Sequence, residues 1–178
     1  PTARQVLTDL ASGKYNASQM SAFITVYMMR AITIDELEGF RDAMLELCVP
    51  VEVGLPVIDV CGTGGDGKNT FNISTLSSFV VAAAGQPVAK HGNYGVSSVS
   101  GSSNVMEHFG YGFSNDRSKL NRELEAANIF FMHAPLFHPA MKNVAPIRKE
   151  LGVKTFFNML GPIVNPARPQ RQLVGVFS

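Results

Sequence analysis

Apolar positions in the first fifty residues recur at helical spacing. Val6, Leu7 and Leu10 mark a short helix before Gly13, and Met20, Phe23, Ile24, Tyr27 and Met28 mark a second that opens at Asn16 to Ser18. These Met and aromatic stripes read as packing surfaces, with a second subunit as the other candidate for what they pack against. Thr33-Ile-Asp-Glu36 has the spacing of a capping box, and Leu37, Phe40, Met44 and Leu47 follow it toward a stop at Pro50. After the proline-bearing connection Pro50 to Pro56 the rhythm changes. Short apolar runs now alternate with helical stretches: "VIDVCG" then Leu76 to Ala84, "PVAKHG" then Asn104 to Phe109, and "NIFFMH" then a helix around His138 to Leu151. "KTFFNML" and "QLVGVF" follow as further strand candidates. Buried runs separated by helices predict a mostly parallel sheet with crossover helices. The fold class expected is therefore α/β, with a helical domain at 1–52 and the first part of an α/β domain at 53–178. The chain stops just after a strand candidate whose faces a following helix would cover, so a fragment is expected.

With 178 residues, 46% of them apolar, the chain can bury one ordinary core with a small helical appendage. No run approaches a membrane span and no export signal stands at the start, which makes the cytoplasm the expected compartment. Cys48 and Cys61 have neither the number nor the spacing of a disulfide framework or zinc site, and read as core thiols. A net charge of +1 gives no reason to expect nucleic acid or a membrane surface as partner. The charge is uneven, however. Residues 1–52 hold four bases and seven acids, and the remainder eleven bases and seven acids, so an anionic ligand belongs to the second part.

Its place is marked by "DVCGTGGDGKNTFNIST", Asp59 to Thr75. Gly62, Gly64 and Gly67 fit the dinucleotide fingerprint, while Gly62, Gly67 and Lys68 fit most of the nucleotide-triphosphate loop. Neither pattern survives. No Asp or Glu occurs between Asp66 and Glu107, which removes the acid that should hold a ribose; Asn69 stands where a magnesium-binding Ser or Thr belongs. What remains is a glycine loop able to approach a ligand closely, feeding a helix that begins near Leu76 with Ser74 or Thr75 as its cap. Free amides at such a helix start attract anions. Lys68 adds charge, and Lys90 arrives at the end of the next strand, where ligands sit in open α/β sheets.

A second loop, "KHGNYGVSSVSGSSNVMEHFG", repeats the arrangement, with Asn104 to Glu107 as a capping box for a further helix. Two Gly/Ser/Lys loops between strand and helix predict a ligand with more than one phosphate. Asp66 inside the first loop has two readings: a carboxylate facing a cation or ligand hydroxyls, or a turn residue bonding its own backbone.

With these residues in view, the chain resembles the anthranilate phosphoribosyltransferase family over essentially its whole length. "GTGGDGKNTFNIST" is similar to the family's diphosphate loop, "KHGN" with "SSVSGSSNVMEHFG" to its second loop, and "HPAMKNVAPIRKELGVKTFFNMLGPIVNPARP" to its downstream signature. The resemblance implies a helical domain joined to a larger α/β domain, and a magnesium-dependent homodimer assembled through the helical domain. It implies transfer of phosphoribose from phosphoribosyl diphosphate to the amine of anthranilate, in tryptophan biosynthesis. The positions it assigns to phosphoribosyl diphosphate are Gly62, Gly65, Asp66, Thr70, Asn72, Ile73, Ser74, Thr75, Lys90, His91, Gly92, Asn93, Ser97, Ser98 and Ser102. Ser74 also touches the metal, Lys90 and Asp66 take the catalytic roles, and Gly62, Asn93 and Arg148 meet anthranilate. His91, His133 and His138 are as well read as packing or hydrogen-bonding residues. Read without the resemblance, Arg148 is a solvated residue at a helix end.

The sequence departs from the family pattern at Tyr94, where an arginine commonly follows "KHGN", and the family's Asp-Glu magnesium pair lies beyond Ser178. The chain alone is thus expected to show little or no turnover. Two other readings stay open: a pyrimidine nucleoside phosphorylase-like enzyme on the same fold, and a non-catalytic phosphate-binding module.

Overall fold

The computed structural model describes residues 1–64, 71–95 and 100–176. Three helices come first, α1 (Thr2–Ala11), α2 (Ala17–Met29) and α3 (Ile34–Leu47). Their starts are chemically fixed. Asn16 accepts from the Gln19 N–H at 2.9 Å while the Gln19 side chain accepts from the Asn16 N–H, and Thr33 and Glu36 form the same reciprocal pair at 3.2 and 3.0 Å. The inward faces carry Leu7, Leu10, Met20, Ile24, Phe40 and Met44, all buried.

Strands β1 (Ile58–Gly62), β2 (Val88–Gly92), β3 (Ile129–His133) and β4 (Arg171–Gly175) form one parallel sheet in the order β3-β2-β1-β4. All four coincide with apolar runs read as strands. The chain winds outward from β1 through β2 to β3, then returns to the other side of β1. Such a reversal leaves a crevice beyond the carboxyl ends of the strands. On one face of the sheet, Val57, Ala89, Phe130 and Met132 pack with Leu120 and Leu124 of α6 (Arg117–Ala127).

Four local expectations give way to the structure. The helix after β1, α4 (Ile73–Ala83), is capped by Asn72 rather than Ser74 or Thr75, because a cap at Asn72 lets its Oδ1 accept from the Thr75 N–H at 3.3 Å and from the Thr75 hydroxyl at 2.7 Å. The helix after β2, α5 (Ser102–His108), begins two residues earlier than its expected capping box, and Asn104 reaches back into the preceding chain instead. The helix expected around His138 to Leu151 is divided into α7 (Ala134–Phe137), a 3-10 turn at Pro139–Asn143 and α8 (Ala145–Leu151). Prolines 135, 139 and 146 at the starts of these pieces lack the N–H that a continuous helix needs. "KTFFNML" is a helix, α9 (Phe157–Leu160), and not a strand. Its buried Phe156, Phe157 and Leu160 stand at i, i+1 and i+4, a spacing that serves a helix pressed on a core. Helix α6 falls where no element was expected: only Leu120 and Leu124 are apolar anchors, and its signals are the Asp116 cap and Asn128 in the left-handed conformation with φ 56°.

Both halves share the helical core. Val144, Ile147, Phe156, Phe157, Leu160 and Val164 pack among the side chains of α1 to α3. The Phe156 ring stacks on Phe40 at 4.7 Å between centroids and meets Phe23 and Tyr27 at 6.2 and 5.0 Å. Residues 139–164 are therefore seated on the N-terminal helices at the same time as they face the strand ends.

Candidate functional site

Between these two bodies lies a cavity of about 920 Å³. Its floor is the carboxyl ends of β1 and β2, and its far wall is α7, α8 and α9. That is the crevice which the winding order of the sheet leaves open.

Of the residues assigned from sequence, Gly62, Asn72, Ser74, Lys90, His91, Gly92, Asn93, Ser102 and Arg148 all line this cavity. Strand geometry brings the first group in: Gly62 ends β1, and Lys90, His91 and Gly92 end β2. Asn72 and Ser74 enter through the start of α4, the positive end of its helix dipole. Two assigned residues do not line it. Ile73 is exposed on α4, and Thr75 is buried with its hydroxyl committed to Asn72. Gly65, Asp66, Thr70, Ser97 and Ser98 lie outside the described residues.

Lys90 is 2% exposed, and its ammonium donates to the Val60 carbonyl at 2.6 Å. Burial pushes its pKa below the ordinary lysine range, and the fully buried Asp59 carboxylate on β1 opposes that shift. Asp59 is in turn pushed up by burial, with the Asn165 amide and Lys90 pulling it down; its Oδ2 has no hydrogen-bond partner. Among the described residues the two form no ion pair, but each charge partly offsets the burial cost of the other through space. Asn165 also donates to the Ala89 carbonyl at 2.9 Å, which ties residue 165 under β2.

The opposite wall carries Arg148. Its guanidinium lies 5.0 Å from the centre of the Phe157 ring and is 3.5 Å from the Asn158 Oδ1. Its Nε is sealed from solvent without an acceptor, and burial pushes its pKa down. Lys142 and Lys149 line the same wall. Sequence reasoning passed over both lysines and Asn158, although "MKNVAPIRKE" does place Lys142, Ala145, Arg148 and Lys149 at helical spacing. It also passed over Asp59, whose one signal was a carboxylate inside an otherwise apolar strand.

Three histidines sit around this space. His91 and His138 lie 5.1 Å apart between ring centroids, and burial lowers them to about 3 and about 4. Both are therefore neutral near pH 7. His138 Nε2 is 3.0 Å from the Val164 carbonyl, whereas the Nε2 of His91 is buried without a partner. His133 is outside the cavity lining: its Nδ1 shares a 2.8 Å hydrogen bond with the Ser103 hydroxyl, and its ring stacks on Phe113 at 4.3 Å. Tyr94, the position that departs from the family pattern, lines the cavity, donates to Glu107 at 3.2 Å and meets the His133 ring at 5.0 Å.

Chemically, this is a mostly apolar cavity with fixed positive charge on both sides. Cys61 lines it, but burial pushes its thiol up to about 12, so no thiolate nucleophile is available there. Among the described residues no group of three His, Cys, Asp or Glu could hold a metal ion. Ser74 offers a neutral hydroxyl oxygen, which suits a magnesium ion that takes its other ligands from water and a bound polyphosphate, whereas the Asn72 Oδ1 is committed to capping α4.

The comparisons with known proteins agree with this layout. A model described as the glycosyl transferase family helical bundle domain matches residues 2–48, and one described as the glycosyl transferase family a/b domain matches residues 54–178. Anthranilate phosphoribosyltransferase of Christiangramia forsetii is 67% identical over 99% of this chain and 54% of its own length, and that of Flavobacterium johnsoniae is 68% identical with the same coverage. The chain spans about half the length of the curated relatives it matches. Among solved structures, anthranilate phosphoribosyltransferase from Thermus thermophilus superposes with a TM-score of 0.89 at 39% identity, over 99% of this chain and 54% of that one. The enzyme from Saccharomyces cerevisiae in complex with PRPP and Mg gives 0.83 at 30% identity, over 98% and 52%.

Proposed function

Because the chain belongs to the glycosyl transferase family, having both its helical bundle and its a/b domain, we propose that the protein transfers phosphoribose from phosphoribosyl diphosphate to the amine of anthranilate. The observation that carries this reading is the division of the cavity into two cationic walls. One wall, with Lys90 and the start of α4, suits a diphosphate; the other presents the Arg148 guanidinium, with Lys142 and Lys149 beside it. A planar guanidinium over an aromatic ring fits a carboxylate on a flat aromatic acid.

The reaction breaks the bond between the ribose anomeric carbon and the diphosphate, and forms one from that carbon to the amine nitrogen. The departing electron pair stays on the diphosphate oxygen, and the amine nitrogen, once bonded to carbon, releases one proton to water or to the diphosphate. The protein's tasks are to position the two reactants and to stabilise the charge that leaves. Arg148 holds the acceptor by its carboxylate, which directs the amine toward the strand ends. Lys90 and the α4 amides hold the leaving group, and each exposed charge at a helix start gains ~0.3–1 kcal/mol from the dipole. Magnesium, bound through Ser74 and the diphosphate, would add further charge neutralisation. Burial keeps the His91 ring uncharged, so it adds no positive charge to the strand ends near neutral pH, while its Nε2 stays sealed from the cavity.

Assembly as a homodimer through the helical domain is part of the proposal, supported by exposed Val26, Met28, Met29 and Ile34 on α2 and α3. The cytoplasm is its proposed compartment, on two unpaired cysteine thiols. No helix of the described residues is long and apolar enough to cross a membrane, and neither a membrane nor nucleic acid is proposed as a partner. Turnover of anthranilate with phosphoribosyl diphosphate and magnesium, followed by the loss of anthranilate and the release of diphosphate, tests the reading in the full chain. Turnover of uridine or thymidine with phosphate, and none of anthranilate, would overturn it.

A further inference from the structure

The glycine- and serine-rich segment after β2 leaves the strand at Asn93 and returns to α5 at Ser102. Its two ends meet at one atom. Asn104 Oδ1 accepts from the Gly95 N–H at 3.0 Å and from the Gly101 N–H at 2.9 Å. The Ser103 N–H donates to the Asn93 carbonyl at 3.1 Å beside it. The closure is tight: a Cβ built on Gly101 would stand 2.4 Å from the Gly95 nitrogen and 2.5 Å from the Asn93 oxygen, so only glycine fits there. Asn93, Gly95, Gly101 and Ser102 all line the cavity, whereas Asn104 does not. The carboxamide thus acts on the cavity wall from behind.

We propose that Asn104 is a positioning residue for the donor substrate, clamping Gly95 to Gly101 so that Asn93, Gly95, Gly101 and Ser102 are held in place on the cavity wall for a diphosphate. The inference rests on the function proposed above. An amide oxygen that takes two N–H groups at once fixes their separation, and a loop closed in advance need not lose that freedom when the ligand binds. Of the residues assigned to anthranilate, Asn93 is held by the clamp through its carbonyl and Arg148 is not, so recognition of the acceptor's carboxylate is the part that does not depend on it.

Two measurements on the full chain, one without substrate and one with it, test the clamp. In Asn104→Ala, amide hydrogen exchange at Gly95 and Gly101 accelerates about tenfold or more, as loss of about one to two hydrogen bonds implies, while exchange in β1 is unchanged. Asn104→Asp, which keeps an acceptor oxygen, restores protection. In turnover, Asn104→Ala raises KM for phosphoribosyl diphosphate about tenfold and KM for anthranilate by clearly less, since only Asn93 of the anthranilate residues is held by the clamp, again with rescue by Asn104→Asp. Gly101→Ala opens the neck from inside and reproduces both effects, which covers the case in which Asn104→Ala does not fold. Unchanged exchange at Gly95 and Gly101 overturns the clamp, and an equal rise in both KM values overturns its role in donor binding. If the unaltered protein does not turn over this substrate pair, the proposed function fails, and the exchange arm with an inorganic diphosphate titration still decides whether Asn104 holds an anion-binding neck.

Discussion

Arg148 and Phe157 face each other across α8 and α9, with the guanidinium carbon 5.0 Å from the ring centre. The ring supplies a flat surface for a flat cation, and the Asn158 carboxamide lies at its edge. A partner carboxylate would complete a charge-assisted, fork-shaped pair, which is stronger than a neutral hydrogen bond. Arg148→Ala is therefore expected to raise KM for anthranilate by about 10- to 100-fold, the loss of roughly 1.5–3 kcal/mol for a bond to a charged group. KM for phosphoribosyl diphosphate should stay near its original value. Arg148→Lys should recover little of the loss, since an ammonium keeps the charge but not the fork. Equal damage to both substrates would show that Arg148 does not face the acceptor.

On the other wall, the charges of Lys90 and Asp59 oppose each other's burial shifts within the sheet. Removing Lys90 takes away charge beside the diphosphate and also leaves Asp59 buried with one carboxylate oxygen already unpartnered. Lys90→Met should cost about 10²-fold or more in kcat/KM for phosphoribosyl diphosphate and also lower the melting temperature, because Asp59 loses a nearby compensating charge and the Val60 carbonyl loses its donor. Adding Asp59→Asn should recover melting temperature without recovering activity. Recovery of activity in the double variant would mean that Lys90 serves the fold and not the substrate.

The Phe40 and Phe156 rings, stacked at 4.7 Å, join α3 to the segment that carries Arg148. Phe40→Ala empties a fully buried site and should cost about 3–5 kcal/mol in unfolding free energy. In a double-mutant cycle with Phe156→Ala, a coupling of roughly 0.5–1.5 kcal/mol is expected from the aromatic pair itself. Strict additivity of the two changes would mean that the rings are packed independently.

Much of this architecture could be read directly from the chain. Four strands and the three N-terminal helices announce themselves through apolar spacing and through two reciprocal caps, at Asn16 with Gln19 and at Thr33 with Glu36. Cavity-lining residues at strand ends, Gly62, Lys90 and Asn93 among them, follow from the rule that an open parallel sheet binds at its carboxyl edge. What escaped depends on contacts distant in sequence. "KTFFNML" reads as a strand until Phe40 and Phe23 are known to lie against Phe156. Helix α6 has two apolar anchors and many charges, so its periodic signal is faint. Asn104 looks like a helix cap, because nothing local says that Gly95 will come within 3.0 Å of it. Asp59 escaped for the same reason: its balance against Lys90 exists only once β1 and β2 are side by side.

Acid should destabilise this fold in a range set by its histidines. His91 and His138 are buried, and their pKa values fall from 6.5 to about 3 and about 4, chiefly because burial disfavours the charged ring. His133 is lowered in the same direction for the same reason. Unfolding exposes all three rings to water, where they take up protons below pH 6.5. The unfolded state therefore binds more protons than the folded one as the pH drops, and stability must fall with it. The contribution is complete above about pH 7 and is lost progressively between about pH 6.5 and pH 4. Since one pKa unit corresponds to about 1.4 kcal/mol, the shift at His138 alone can amount to roughly 3 kcal/mol at neutral pH. Thermal melting across pH 8 to pH 4 should give a plateau at the upper end and a steepening decline below pH 6.5. His138→Gln, which cannot titrate, should flatten the decline by about one bound proton while lowering the plateau through loss of the bond to Val164. A decline of unchanged slope in that variant would show that His138 is already protonated in the native protein.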